Sequence, residues 1–256
     1  MAGTLPLSLV VITRDAAKDL AACLASAPFA SEIVVVDSGS RDDTVEIARR
    51  FDARVLASDW RGFGPQKNFA VSAAMHDWVL CLDADERATP ELERSIRAAF
   101  AAGEPAAPAY AIARRNRFLG RWLAHGEGYP DWKVRLFDRR RARWSDEVVH
   151  ERVVVDGAAR RLEGDLLHAS AESIDDYVAK QNRYTSLQAE AMHARGERAG
   201  FARLALSPLA RFLRFYVVKL GFLDGAAGFA HIAIGAFASF LKYVKLRALG
   251  AGGREP

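Results

Sequence analysis

The chain has 256 residues, 50% apolar and 27% charged, with net charge +4 and a pI near 9.2. These values exclude a disordered or fibrous polypeptide, and at this length one large domain, or a domain with an appendage, buries a core of normal size. Cys23 and Cys81 stand alone in apolar contexts, which excludes a disulfide framework or a cysteine metal cluster and fits core thiols in a reducing compartment.

In chain order, Leu7 to Thr13 is an apolar, β-branched run of buried-strand length. A helix is predicted from about Asp15 to Ser26, with Leu20, Cys23 and Leu24 on one stripe. Glu32 to Asp37 is a second strand, and Ser40-Arg41-Asp42-Asp43 caps a second helix through Arg50. A third strand spans Ala53 to Ala57, a third helix Lys67 to Met75, a fourth strand Trp78 to Leu82 and a fourth helix Pro90 to Phe100. Such alternation predicts parallel strands with right-handed crossovers and helices on both faces of the sheet. Ligands bind such sheets beyond the carboxyl ends of the strands, where Thr13, Asp37, Ser58-Asp59 and Asp83-Asp85 all fall.

After the turn-rich Gly103-Glu104-Pro105-Ala106-Ala107-Pro108 the pattern changes. Tyr110 to Arg117, Lys133 to Phe137, Glu147 to Val155 and Arg161 to Leu167 read as strands that complete the same domain as a mixed sheet. A polar helix follows from the Ser170 to Asp176 stretch to about Arg195, and Gly196 and Gly200 mark a break. Two apolar helices then separate near Asp224-Gly225. The predicted divisions are 1–170, split at 103/104 into a nucleotide half and an acceptor half, then a connecting helix at 171–200 and a helical tail at 201–256.

From Phe201 onward there are eight Lys/Arg against Asp224 and Glu255. A basic apolar tail fits an anionic membrane surface better than nucleic acid. Gly225 to Leu241 is nearly charge-free but short of a comfortable span, so helices lying in the interface are expected, ahead of a true span or a hairpin packed on protein. The first residues lack a basic leader and run into a strand, so a cytoplasmic, peripherally membrane-bound protein is expected.

Leu82-Asp83-Ala84-Asp85-Glu86 ends an apolar strand in three acids. Asp83 and Asp85 are spaced i, i+2 and share a side of the strand. Their mutual repulsion is relieved by a divalent cation, by a hydroxyl-rich ligand, or by solvent at a plain strand-to-helix turn. Gly62-Phe63-Gly64-Pro65-Gln66-Lys67-Asn68 leads into a helix N-terminus that favours anions, with Lys67 a point charge for phosphate or a solvated surface lysine. It is neither a Walker loop nor a dinucleotide fingerprint, so a kinase or dehydrogenase has no motif here.

Val10 to Arg14, Val34 to Asp42, Gly64 to Asn68 and Leu80 to Glu86 together resemble a family 2 glycosyltransferase of the GT-A fold, a Rossmann-like nucleotide-diphospho-sugar transferase. The likeness covers about Leu7 to Ser170. With Trp132 to Phe137, Val149-His150-Glu151, Leu167-His168 and Lys180 to Tyr184, the chain is similar to the lipopolysaccharide core glucosyltransferases that act on an inner-core heptose. The resemblance implies a metal-dependent, inverting transfer of a hexose, glucose first, from a UDP-sugar donor to a glycolipid at the inner face of the membrane.

It further implies that Asp37 accepts from uracil, with Thr13 and Arg14 lining the same pocket; an Asx-type turn is the other reading of Asp37. Gly64 and Lys67 would meet the diphosphate. Asp83 and Ala84 would meet the ribose or metal-bound water, and Asp85 with His168 would ligate Mn²⁺ or Mg²⁺, unless His168 is a hydrogen-bonded strand-end residue. Glu151 would be the general base, tuned or replaced by His150, with Asp146 and Glu147 as rivals. Trp122 would stack on sugar, and Arg115 and Arg135 would contact acceptor phosphates or else guard an exposed strand edge. Other readings are a polyprenyl-linked or protein acceptor, a nucleotidyltransferase making the sugar nucleotide, or a non-catalytic sugar-nucleotide module at the membrane. Neither the oligomeric state nor the choice of metal is implied.

Overall fold

A computed structural model describes residues 3–147, 151–169 and 173–251. The chain divides into two compact units, Met1–Arg115 with Asp131–Ala169, and Asn116–Pro130 with Ser170–Pro256.

The first unit begins with β1 (Leu5–Thr13), α1 (Ala17–Ala25), β2 (Ala30–Asp37), α2 (Thr44–Arg50), β3 (Arg54–Ala57), α3 (Phe63–Ala73), β4 (Trp78–Asp83), β5 (Glu86–Ala88) and α4 (Pro90–Phe100). It continues with β6 (Ala109–Phe118), which enters the second unit, and resumes at β8 (Asp131–Asp138), β9 (Ala142–Trp144), β10 (Val153–Val155) and β11 (Arg160–His168). Among the described residues the main sheet runs β3-β2-β1-β4-β8-β6-β11-β5, with the short β7 (Arg121–Trp122) on the end of β6. β3, β2, β1 and β4 are parallel, whereas β8 is antiparallel to β4 and to β6, and β5 to β11. This mixed sheet is the architecture expected of GT-A.

Alternation builds its two faces. Leu7, Leu9, Val11, Leu80 and Leu82 point to one side, into a fully buried cluster with α1 and α4. Val10, Val34, Val36, Val79 and Cys81 point to the other, beneath α3. Both thiols are buried and free, and burial pushes Cys81 up to about 12, as expected of inert core groups. Thr89 caps α4 by accepting from the Leu92 amide, with Pro90 at the first helical position.

The order places β1 between β2 and β4, so the crossover direction reverses beside β1. Register brings the strand tips level: Ile12 pairs with Asp83, Thr13 with Asp37, and Asp37 with Ala57. The binding crevice of an open α/β sheet lies at this reversal.

Three local expectations are corrected. α3 begins at Phe63, four residues before the predicted Lys67, because the first turn of a helix tolerates Pro65. β5 follows directly on the acidic turn and is held by β11. The Glu147 to Val155 strand is represented among the described residues by Val153–Val155, which pairs with β9 in a separate two-stranded ribbon.

In the second unit α5 (Ile174–Ala194) starts at a capping box of Ser173 and Asp176. α6 (Phe201–Leu213) runs into a π-helical turn at Arg214–Val218 and a 3-10 turn at Gly221–Asp224, and α7 (Gly225–Ala251) follows. Asp224 is buried and accepts from the backbone amides of Ala124 (3.0 Å) and His125 (2.8 Å), fixing the 116–130 loop to the start of α7. Lys245 donates to Asn182, Thr185 and Ser186 of α5 at 2.7–2.8 Å, so this cation of the tail is turned inward. Among the described residues one helix is long and apolar enough to cross a membrane, Gly221–Gly250 with mean hydropathy 1.4, and close to half of its apolar window is buried inside the protein.

Candidate active site

Three acids at the tip of β4 would repel one another, and the protein answers with its own cations. Glu86 is fully buried; one oxygen accepts the Asp83 amide (3.0 Å) and the other the Arg135 guanidinium (2.7 Å). The same Arg135 nitrogen donates to Asp83 Oδ2 at 2.6 Å, and Lys67 Nζ approaches Asp83 Oδ1 at 2.9 Å. Both oxygens of Asp83 are thereby occupied. Burial by itself would raise its carboxyl, but the Arg135 and Lys67 charges outweigh it and hold Asp83 far below the usual carboxylate range. Ala84 turns its side chain toward the first core cluster.

Lys67 is 5% exposed rather than solvated. Its ammonium also reaches Glu151 Oε1 at 3.1 Å and lies 4.3 Å from the centre of the Trp144 ring. Asn68, next on α3, exchanges two hydrogen bonds with the Trp144 backbone, each 2.9 Å. Ser145 and Arg152 close the β9–β10 hairpin at 2.8 Å, with Glu151 directly before that closing residue. A methyl group at Gly64 would overlap the Ser145 carbonyl oxygen, so the missing side chain lets α3 seat against this hairpin.

Asp85 and His168 come together, with Nε2 3.1 Å from Oδ2, because β5 pairs with β11 and aligns His168 with Glu86. Burial would raise the Asp85 carboxyl, but the His168 hydrogen bond and charge prevail and lower it. Among the described residues no cluster of three or more His, Cys, Asp and Glu side chains stands ready for a metal. One carboxylate and one imidazole nevertheless fit a divalent cation that completes its shell with diphosphate oxygens and water, and the nitrogen ligand suits Mn²⁺ better than Mg²⁺.

At the neighbouring tips Thr13 donates to Asp37 Oδ1 (3.0 Å), and Asp37 Oδ2 accepts the amides of Gly39 (3.0 Å) and Ser40 (2.9 Å). The Ser40 hydroxyl also donates to Oδ1. Asp37 thus builds the turn beside the pocket, the Asx-type arrangement, and its acceptor capacity is filled from within. Arg14 is mostly exposed at the same edge.

The expected acceptor residues do not form one group. Arg135 is buried between Asp83 and Glu86, so its guanidinium belongs to the acidic tip and is not presented to acceptor phosphates. Arg115 is a third exposed and lies 4.0 Å from Asp165. Trp122 belongs to the second unit, where the Arg117 guanidinium lies 5.9 Å from its ring. His150 lies outside the described residues. Of the rival bases, Glu147 faces Arg152 at 3.5 Å and Asp146 is exposed. Sequence reasoning missed Trp144 and the bracing roles of Glu86 and Arg135. The signal for Arg135 was its position between Val134 and Leu136-Phe137, where a charge needs a buried partner.

The family model for glycosyl transferase family 2 matches residues 8–161. The lipopolysaccharide core biosynthesis glycosyltransferase LpsC of Rhizobium meliloti is 32% identical over 219 residues, covering 83% of this chain and 81% of that protein. An uncharacterized glycosyltransferase of Rickettsia felis is 34% identical over 235 residues, covering 86% and 81%. Among solved structures, Staphylococcus aureus TarS 1–349 in complex with UDP-GlcNAc aligns with 98% of this chain and 93% of its own, at 14% identity and a TM-score of 0.47.

Proposed function

The chain belongs to glycosyl transferase family 2, and on that premise we propose that it transfers a hexose, glucose first, from a UDP-sugar to the inner-core heptose of lipopolysaccharide with inversion at the anomeric carbon. The kinship with LpsC supports the acceptor class. One observation carries the chemistry: a single ammonium, Lys67, joins Glu151 to the Asp83 tip although 68 positions separate the two carboxylates in the chain. Among the described residues Glu151 Oε2 has no partner, as a general base requires.

In this reading the acceptor hydroxyl attacks the anomeric carbon while Glu151 takes its proton. The bond from that carbon to the diphosphate oxygen breaks, and its electron pair leaves with UDP. The developing oxocarbenium character lowers the demand on the nucleophile, as in glycoside hydrolysis. Asp85 and His168 would hold the divalent cation, which when bound offsets the charge on the departing diphosphate. Thr13, Arg14 and the turn built by Asp37 frame the uridine pocket, with Asp37 acting through that turn. Asp83 carries one cation on each oxygen and keeps a further lone pair on each with which it would accept ribose hydroxyls.

Docking at the inner leaflet is supported by α6 and the turns after it. Phe201, Leu206, Leu209, Leu213, Val217 and Val218 are all exposed there, among Arg203, Arg214 and Lys219.

The test is transfer from a panel of UDP-sugars to heptose-terminated lipopolysaccharide, with and without chelator. Chelator-sensitive transfer from UDP-glucose is expected. UDP binding with no transfer from any donor would favour the non-catalytic module.

A further inference from the structure

In the described structure Lys67 is engaged by two carboxylates and an aromatic ring. Two of its three ammonium hydrogens serve Asp83 and Glu151, and its remaining side faces Trp144, itself 2% exposed. The backbone around it is equally committed. Asn68 clamps the Trp144 backbone, and Gly64 seats α3 on Ser145. The Ser145–Arg152 closure carries Glu151 on the same hairpin. Lys67 and Glu151 therefore hang from one braced pair of elements. The brace continues from Lys67 through Asp83 and Arg135 to the fully buried Glu86.

We infer that Lys67 is the positioning residue of the base: it holds one Glu151 oxygen, leaves the other for the acceptor hydroxyl, and registers the carboxylate against the donor-side Asp83. This rests on Glu151 being the base. Among the described residues the cation at hydrogen-bond distance from Glu151 is Lys67 of α3, while the neighbouring Arg152 is mostly exposed and faces Glu147. A lysine that instead grasped the diphosphate would act chiefly on donor affinity, which separates the two roles.

The experiment compares Lys67→Met and Lys67→Arg with the unaltered enzyme, with UDP binding by calorimetry and kcat and donor KM for transfer measured separately. For Lys67→Met the expected result is a UDP Kd within about 3-fold and kcat lowered by about 10-fold or more with the donor KM little changed. Lys67→Arg keeps a cation for both carboxylates and should restore most of kcat. Loss of UDP affinity in Lys67→Met with kcat preserved would overturn the inference, as would a kcat in Lys67→Arg as low as in Lys67→Met. Should Lys67→Met not fold, Lys67→Gln takes its place under the same criteria. Failure of the underlying reading shows separately, as full transfer by Glu151→Gln.

Discussion

At the residue scale the site is governed by which carboxylates the protein's own cations have claimed. Asp83 is claimed on both oxygens, whereas Asp85 is shared only with His168. Asp85→Ala should therefore abolish metal-stimulated transfer, by about 100-fold or more, while UDP binding measured without metal stays near its original value. Retained stimulation by Mn²⁺ would place the cation elsewhere. Asp83 makes a different prediction. Its carboxyl is depressed in the folded protein, so its contribution to stability is present above the unfolded value of about 4 and is lost as the pH falls below it. Urea midpoints measured between pH 6 and 3 should fall at the acid end, and Asp83→Asn should flatten that fall while lowering stability near neutrality. A parallel fall in both proteins would assign acid sensitivity to other carboxylates.

At the element scale α3 is the keystone, since it carries Lys67, clamps Trp144 through Asn68 and rests Gly64 on Ser145. Gly64→Ala inserts a methyl into that contact and should cost about 1–3 kcal/mol, read as a lowered urea midpoint together with reduced transfer. An unchanged midpoint would mean that the hairpin is free to move away. The strands and helices up to Phe100 were legible because their apolar runs have clear periods and their ends carry recognisable caps, such as Thr89-Pro90. The candidate site was legible where family motifs fall on strand tips, as at Asp83 and Asp85. Its bracing was not, because Arg135, Glu86 and Trp144 meet only through tertiary pairing of β4, β8 and the β9–β10 ribbon. Asp37 shows the converse: the motif marked its place, but only the folded turn reveals that Thr13, Gly39 and Ser40 fill its acceptors.

At the scale of the whole molecule, a helical unit with an exposed apolar and basic face accompanies the catalytic unit. α7, the more apolar helix by sequence, spends much of its surface on α5 and α6, while α6 has no buried residue. Leu209→Glu with Val218→Glu should weaken co-sedimentation with anionic vesicles by about 10-fold or more and leave transfer to a detergent-solubilised acceptor intact. Undiminished vesicle binding would move the docking face elsewhere. The catalytic account is tested most directly by Glu151→Gln, assayed side by side for UDP binding and for glucose transfer to heptose-terminated lipopolysaccharide. UDP affinity should stay within about 3-fold while turnover drops by about 100-fold or more. Turnover near the original rate would contradict the account.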